Sequence, residues 1–312
     1  MVVEEVNGAE YTQVLSIPTF IFNTSAFNVL NAGKVESVRF LVFKDSRVRM
    51  GLIGGVKKNG FYSPFSAPFG GFTMARQAVT VKQMEEAVEQ LIFWCASKGL
   101  EQISLVPPPL VYDETNLSKL TNVLFRAGFT QRTIDLNYSF FLEHMNDSYV
   151  ASLPKNARKN LKKALSNDLK LHQCGSMEEK ELAYSIIKQN RSERGFPLRM
   201  TWEQVAETTE LVPADFFLVS YENTFVASAV VFHIFEDIVQ VIYWGDVPAY
   251  AELRPMNFIS YELFRHYQAR GMRIIDIGPS TENSQPNHGL CEFKESIGCD
   301  VNLKTTWTYQ FS

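Results

Sequence analysis

Residues 39–55 read RFLVFKDSRVRMGLIGG, and residues 216–232 read FFLVSYENTFVASAVVF. Each stretch has two runs with alternating apolar residues, separated by a polar, turn-prone segment: residues 44–47 in the first and residues 222–224 in the second. This pattern predicts two antiparallel strands joined by a tight turn. Because it occurs once in each half of the chain, it also predicts an internal repeat.

The repeat continues beyond the two hairpins. In each half a third strand, a helix, a fourth strand, a second helix and a last strand follow in the same order. The first helices, residues 81–99 and 255–271, each carry one apolar stripe and end in a cation and a glycine. Thr80 and Gln83 fit a capping box at the start of the earlier one. The predicted fold class is therefore α/β (α+β), with two tandem units, each a mixed central sheet flanked by helices.

The bulk composition is that of an ordinary globular protein, with 46% hydrophobic residues and a net charge of −4. The length of 312 residues suits two domains, which we expect at 1–145 and 146–312, the second opening with a basic helix. No run of about 18 apolar residues occurs, so we expect no membrane span, and the first residues lack the pattern of a secretory signal. The four cysteines show neither CxxC nor a metal-like spacing, which favours a reduced, cytoplasmic protein without a metal.

Residues 154–167, PKNARKNLKKALSN, form a cationic segment in an acidic chain. Its five cations stand at i, i+3, i+4, i+7 and i+8, a spacing that places them on one face of a helix: Lys155, Arg158, Lys159, Lys162 and Lys163. Leu153, Ala157 and Leu161, with Val150, Ala164 and Leu165, would form the buried side. Because no acid balances the cations within the segment, it predicts a site for phosphates or a carboxylate. The alternative is a solvated helix face.

Five stretches, in this order and spacing, resemble a known family: NARKNLKKA at 156–164, RGFP at 194–197, LRPMN at 253–257, DIG at 276–278 and GLCEFK at 289–294. Together with the order of the predicted elements, they resemble the FemAB-type branch of the GNAT acyltransferases over nearly the whole chain. That branch includes the peptidoglycan bridge-forming aminoacyltransferases and related acetyltransferase-like proteins. The resemblance implies transfer of an acyl or aminoacyl group to an amine, with acyl-CoA or aminoacyl-tRNA as the donor.

The chain departs from the family pattern in two places. Bridge-forming members often carry a long coiled-coil arm in the second domain, and no sustained heptads occur here. GNAT enzymes usually hold the CoA pyrophosphate in a glycine-rich turn before the main helix. The corresponding residues, 247–255, contain no glycine, although Arg254 at the helix start could bind an anion.

The resemblance and the ends of the predicted strands give the candidate site residues. The candidate catalytic residues are Tyr243, Asp276 and Lys294, and the candidate substrate- or donor-binding residues are Asn156, Arg158, Lys159, Lys162, Trp244, Arg254 and Asn257.

Each catalytic candidate also has a second interpretation. Tyr243 and Trp244 end the strand where a GNAT cleft opens, so Tyr243 either donates a proton or packs in the core. Asp276 ends the next strand, where open α/β sheets place ligands. It either binds or deprotonates the acceptor amine, or makes structural hydrogen bonds. Lys294 takes from the resemblance the role of stabilising the charge of the donor or of the oxyanion; otherwise it is a surface lysine. The glycine-, proline- and aromatic-rich loop at 59–72 either lines an acceptor groove or packs on the first sheet.

These observations favour an N-acyltransferase that moves an acyl group from acyl-CoA to an amine in an interdomain cleft, by direct attack of the amine. No GxSxG motif and no Cys–His arrangement supplies an activated nucleophile. One alternative uses aminoacyl-tRNA and a cell-wall precursor as the acceptor. Another is a catalytically silent module that binds anions or RNA. We expect a small-molecule amine or a cell-wall precursor as the partner, and no DNA.

Overall fold

The computed structural model describes residues 1–75 and 79–311. Fifteen strands lie in the described part of the chain: β1 (Val2–Val6), β2 (Ser37–Lys44), β3 (Val48–Lys57), β4 (Gly60–Ser63), β5 (Phe72–Met74), β6 (Gln102–Leu105), β7 (Thr130–Phe141), β8 (Leu169–Gln173), β9 (Ala214–Tyr221), β10 (Thr224–Phe235), β11 (Ile238–Asp246), β12 (Ile274–Pro279), β13 (Thr281–Glu282), β14 (Gln285–Pro286) and β15 (Asp300–Gln310).

Ten α-helices accompany these strands in the same described ranges: α1 (Gly8–Val14), α2 (Ser25–Leu30), α3 (Val81–Ser97), α4 (Glu114–Arg126), α5 (Tyr149–Ser152), α6 (Lys155–Ser166), α7 (Met177–Glu193), α8 (Trp202–Thr209), α9 (Pro255–Gln268) and α10 (His288–Ser296). The capping box predicted for α3 is present, because Thr80 Oγ1 accepts from Gln83 N and the Gln83 side chain accepts from Thr80 N. Gly99 and Gly271, which follow α3 and α9, have φ of +68° and +73°, as expected of glycines that end helices.

The chain forms two compact units. The first comprises the described part of Met1–Leu136, together with Thr281–Gln285 and the stretch from Asn302 onward. The second comprises Asn137–Ser280 and Pro286–Val301. The expected domain boundary between residues 145 and 146 stays a prediction.

Each unit holds a mixed sheet. In the first unit the strand order is β1-β2-β3-β4-β6-β15, with β5 paired to β3, and β4 runs parallel to β6. In the second unit the order is β12-β11-β10-β9-β8, and the end of β7 pairs antiparallel with β12. The parallel pair there is β11 with β12.

The last strands of the two repeats are exchanged. The sequence predicts that each half closes its own sheet, but the end of β7 pairs with β12, Phe140 opposite Ile275. In turn β15 pairs with β6, Trp307 opposite Leu105. The alternating pattern of a strand predicts which of its faces is buried, but it does not predict which strand pairs with it. The strand types were therefore predictable, whereas the partners were not.

The sheet of the second unit is covered on both faces. On one face, Phe140 stacks on Phe264 of α9 with ring centroids 4.0 Å apart and planes 6° apart. On the other face, Ser228 Oγ of β10 donates to the Ala183 carbonyl of α7 at 2.7 Å. An added Cβ on Gly245 of β11 would lie 3.0 Å from the Asn190 side chain, so glycine allows α7 to approach the sheet closely.

Candidate functional site

A gap opens between the two parallel strands of the second unit. The strands β11 and β12 pair at Ile238–Ile274, Val239–Ile275 and Gln240–Asp276. Gln240–Asp276 is the last of these pairs among the described residues. Beyond that point β11 continues along β10 to Asp246, while β12 turns away.

Two local irregularities produce the divergence. In β11 one extra residue, Ile242, lies between the pairs Tyr243–Val230 and Val241–Val231, which is a β-bulge. In β12 the pairing to β7 shifts between Asp276 and Gly278, and Gly278 has φ of +74°. In the described part of the chain, β11 is paired after Gln240 with β10 on one side alone, so the backbone groups on its other edge can bind a ligand.

The matching place in the first unit is closed. There β4 and β6 pair from Gly60–Gln102 to Ser63–Leu105, and Val106 N then donates to Ser63 O at 2.8 Å. Gly70 N in turn donates to Val106 O at 2.8 Å. The loop after β4 therefore fills the position that stays open between β11 and β12.

The aromatic loop of the first unit packs within that unit. Phe69 is fully buried, and its ring lies 5.8 Å from that of Phe20, 5.1 Å from that of Phe22 and 5.2 Å from that of Tyr112. These three rings lie in or directly before short 3₁₀ segments of the same unit, so the geometry shows packing within the unit. A role in an acceptor groove stays a prediction.

Asp276 is a fully buried anchor at the point where the gap begins. Its carboxylate accepts from Asn137 Nδ2, Gln240 Nε2 and Gly278 N, each at 2.8 Å. An ionised carboxylate accepts only, so both amides must turn their NH₂ groups towards it. The carbonyl oxygens of Asn137 and Gln240 then face away, and both are buried without a hydrogen-bond partner in the described residues. The structural hydrogen bonds expected of Asp276 are present, and its role towards an acceptor amine stays a prediction.

Lys294 of α10 is buried, with 3% of its surface exposed, so it is not a surface lysine. Its Nζ donates to three successive carbonyls at the end of β12: Ile277 at 3.0 Å, Gly278 at 2.8 Å and Pro279 at 3.1 Å. It also lies 5.3 Å from the ring centroid of Tyr138. Burial lowers the pKa of Lys294 to about 8, although the charge of Asp276 acts in the opposite direction.

Tyr243 and Trp244 lie on the part of β11 that borders the gap, and both are half-buried. Burial raises the pKa of Tyr243, so its hydroxyl stays protonated at neutral pH. The Trp244 ring lies 5.9 Å from the ring of Phe293 in an edge-to-face arrangement. Since Phe293 precedes Lys294 in α10, this helix contacts both strands of the gap.

The cationic segment forms α6 as predicted. Leu153, Ala157, Leu161 and Ala164 are buried as expected, whereas Leu165 is 41% exposed and does not belong to the buried side, because it lies near the helix end. Lys155, Lys159 and Lys162 are exposed and have no ion pair among the described residues.

The other two cations of α6 have protein partners. Lys163 pairs with Glu252 at 3.1 Å, an acid that lies far away in the sequence. Arg158 Nη2 donates to Leu153 O at 3.3 Å, and its Nε is buried without a partner in the described part of the chain. Asn156 is exposed at the start of the helix.

The segment between β11 and α9 lies beside α6. It contains a short 3₁₀ turn, Pro248–Leu253, and Asn167 Nδ2 donates to Leu253 O at 3.1 Å. Arg254 caps α9 with φ of +60° and exposes its side chain. Its carbonyl accepts from Asn257 N at 3.1 Å and from Phe258 N at 3.2 Å, and the first helical residue is proline. An anion here would therefore be held mainly by side chains, because few backbone N–H groups remain at this helix start.

Three contributors to the site were missed by sequence reasoning: Asn137, Gln240 and Phe293. Gln240 carried a usable signal, since it is the polar residue within the apolar run IVQVIYW. Asn137 lies in a mixed strand, where nothing local distinguished it. Phe293 lies in the stretch GLCEFK that carries the resemblance, but its contact with β11 is not a local property.

A separate cavity of about 340 Å³ lies at the other end of β12. It is lined by Phe141, Leu142, Glu143, Gln268, Gly271, Met272 and Arg273. Arg273 is paired with Asp237 through Nε at 2.6 Å. The cavity contains none of the predicted site residues.

Neither a metal-binding cluster nor a membrane-spanning helix occurs in the described residues. Over residues 1–75 and 79–311, no cluster of three or more His, Cys, Asp or Glu side chains is placed to hold a metal ion. No helix of those same residues has the length and apolar content needed to cross a membrane.

No family model matches the sequence. No curated protein matches it either. Solved structures match over almost the whole chain. Their sequence identities are low, so the similarity shows the fold alone. FemX superimposes with a TM-score of 0.72 and 11% identity over 100% of this chain and 98% of FemX.

Two further structures have the same architecture. L-PGS from Bacillus licheniformis superimposes with a TM-score of 0.60 and 13% identity over 97% of this chain and 92% of that one. A tandem GNAT protein from the clavulanic acid biosynthesis pathway superimposes with a TM-score of 0.51 and 11% identity, over 99% of this chain and 98% of that one. The chain has the tandem GNAT fold of FemX-like proteins, which confirms the predicted fold class and the resemblance.

Proposed function

We propose that this protein is an acyl- or aminoacyltransferase that acylates an amine, with the donor bound in the gap between β11 and β12. One observation carries the proposal. Among the described residues, the edge of β11 after Gln240 has no strand paired to it, and the loop that follows β11 lies beside the cations of α6. An extended donor could pair its amide groups with this edge while its phosphates face α6.

In the proposed reaction the amine nitrogen attacks the donor carbonyl, so a C–N bond forms and the carbonyl oxygen becomes an oxyanion. Backbone N–H groups on the edge of β11 would stabilise this oxyanion, because they are held in place before the reaction. Collapse breaks the bond to the leaving thiolate or ribose oxygen. Tyr243 stays protonated and is our candidate for donating a proton to that leaving group. Asp276 is our candidate for taking the proton that the attacking amine loses, and Lys294 holds the end of β12 beside it.

The donor is acyl-CoA in our first version of this function. Here Arg158, Arg254, Asn257 and the lysines of α6 would hold the phosphates.

A specific observation supports aminoacyl-tRNA as the second candidate donor. The start of α9 offers few backbone N–H groups to a compact pyrophosphate, whereas three exposed lysines of α6 have no ion pair in the described residues. An extended polyanion would suit such a surface. The acceptor would then be a cell-wall precursor, and otherwise a small-molecule amine. Either donor implies a cytoplasmic enzyme. A silent anion- or RNA-binding module is the remaining alternative.

Calorimetry tests this proposal with acetyl-CoA, octanoyl-CoA and total aminoacyl-tRNA as the probes. In Arg158→Ala, we expect the affinity for the true donor to fall by about 1–3 kcal/mol, the usual loss for a charge-assisted hydrogen bond. Lys188→Ala, which removes an exposed cation of α7, is the control and should bind as the wild type does.

The outcomes separate the candidates. Binding of an acyl-CoA that is weakened in Arg158→Ala supports the first version. Binding of the tRNA alone, with an affinity that falls steeply as salt increases, supports the second. Binding of uncharged RNA without transfer from any donor supports the silent module and contradicts the transferase.

A further inference from the structure

We infer that α10 holds the gap open. Lys294 donates hydrogen bonds to the carbonyls at the end of β12, and Phe293 packs against Trp244 of β11. This inference rests on the proposed function for its consequence, which is access of a donor to the edge of β11. It makes Lys294 a positioning residue rather than a group that contacts the donor.

The hydrogen bonds of Lys294 carry the argument. An ammonium group has three N–H donors. The carbonyls of Ile277, Gly278 and Pro279 lie 3.0, 2.8 and 3.1 Å from Nζ. The donors are therefore fully used, and a direct hydrogen bond to a substrate would require one of these carbonyls to be released.

The identity of the three acceptors explains the open gap. They belong to the residues that follow Asp276, the last residue of β12 paired with β11. In a continuous parallel ladder, carbonyls of this stretch would accept from N–H groups of β11. Lys294 satisfies these carbonyls, of which those of Ile277 and Gly278 are buried, from α10 instead, so β12 has no need to continue along β11.

A second contact of α10 acts on the opposite strand. Phe293 packs against Trp244 of β11 at 5.9 Å between ring centroids. Adjacent residues of a helix point about 100° apart, so one turn of α10 can reach two strands. The hydrogen bond from Gly278 N to the Asp276 carboxylate, at 2.8 Å, also fixes the turn by which β12 leaves β11.

The experiment compares Lys294→Met with Lys294→Arg, which keeps donors for the carbonyls. Lys188→Met is the control, since it removes an exposed lysine from the same unit. Hydrogen exchange of the amides of residues 241–246 is measured without any ligand. Steady-state kinetics are measured with acetyl-CoA or aminoacyl-tRNA, whichever serves the wild type.

In Lys294→Met we expect hydrogen exchange of the amides of residues 241–246 to slow by about tenfold. Without the lysine, the carbonyls of β12 would accept hydrogen bonds from the N–H groups of β11 and protect them. The KM for the donor should rise by about tenfold, with kcat at saturating donor changed by less than about threefold. Lys294→Arg should restore both properties in part. Lys188→Met should behave as the wild type.

Two results would overturn the inference. If kcat falls in Lys294→Met while the donor KM and the exchange of residues 241–246 stay unchanged, Lys294 acts directly on the reaction. If exchange in β11 increases together with that of the whole second unit, Lys294 supports the core in general. Should the wild type transfer no acyl group, the exchange measurement still decides the role of Lys294. Failure of the proposed function is thus distinguishable from failure of this inference.

Discussion

Replacing Gly278 with alanine tests whether the turn at the end of β12 controls donor binding. Gly278 has φ of +74°, and an added Cβ would meet no described atom within 4 Å. Gly271, after α9, has φ of +73° and equally open surroundings. The two substitutions therefore impose similar backbone strain without a steric clash, at a buried position in Gly278 and at an exposed one in Gly271.

The magnitude follows from the backbone conformation. The left-handed region costs a non-glycine residue about 1–2 kcal/mol. Alanine also lowers the conformational entropy of the unfolded chain, which stabilises the folded protein by about 0.4–1 kcal/mol. Each variant should therefore lose about 1 kcal/mol of unfolding free energy. In Gly278→Ala the chain can relax this strain by leaving the turn, so donor affinity can fall by up to about 1 kcal/mol, roughly fivefold in Kd.

Urea denaturation measures the stability of both variants, and titration with acetyl-CoA or aminoacyl-tRNA, whichever binds the wild type, measures the affinity. We expect equal losses of stability, with a weaker Kd in Gly278→Ala alone. Equal donor affinities in the two variants would refute the reasoning, because the turn would then have no connection with the donor site. A fivefold loss in Gly271→Ala would refute it as well, since that position lies outside the gap.

Three further predictions concern α6, Arg254 and the far end of the second sheet. The double variant Lys159→Ala/Lys162→Ala should keep the wild-type unfolding midpoint and weaken binding of aminoacyl-tRNA, with a shallower salt dependence; an unchanged salt slope would contradict a polyanion site on α6. Arg254→Gly should raise the unfolding free energy by about 1 kcal/mol by removing a left-handed non-glycine residue, yet weaken donor binding in calorimetry. Burial acts to raise the pKa of Asp215, but the hydrogen bond from His233 and other interactions hold it below its usual value. The stabilisation from Asp215 is then present at neutral pH and lost as the pH falls through its folded pKa, so stability measured from pH 7 to pH 3 should decline less steeply in Asp215→Asn.

Much of the fold could be predicted from the sequence, because hydrophobic periodicity and helix ends are local properties. The hairpins β2–β3 and β9–β10 follow from alternation around a turn, and α3 begins at its predicted cap. The cationic face of α6 follows in the same way from side-chain spacing along one helix. The chain itself therefore determined the kind of each element, its order and its exposed face.

The tertiary structure alone decided which distant groups share hydrogen bonds. The exchange of the last strands, the early end of the β11–β12 ladder and the pairing of Lys163 with Glu252 each join residues far apart in the chain. Lys294 shows the physical reason most clearly. A lysine in an amphipathic helix is expected at the surface, and its burial is tolerable here because three carbonyls of β12 accept hydrogen bonds from its ammonium group. The hydrogen bonds of Lys294 and the divergence of β12 from β11 depend on each other, and this is a property of the folded sheet that no local sequence pattern specifies.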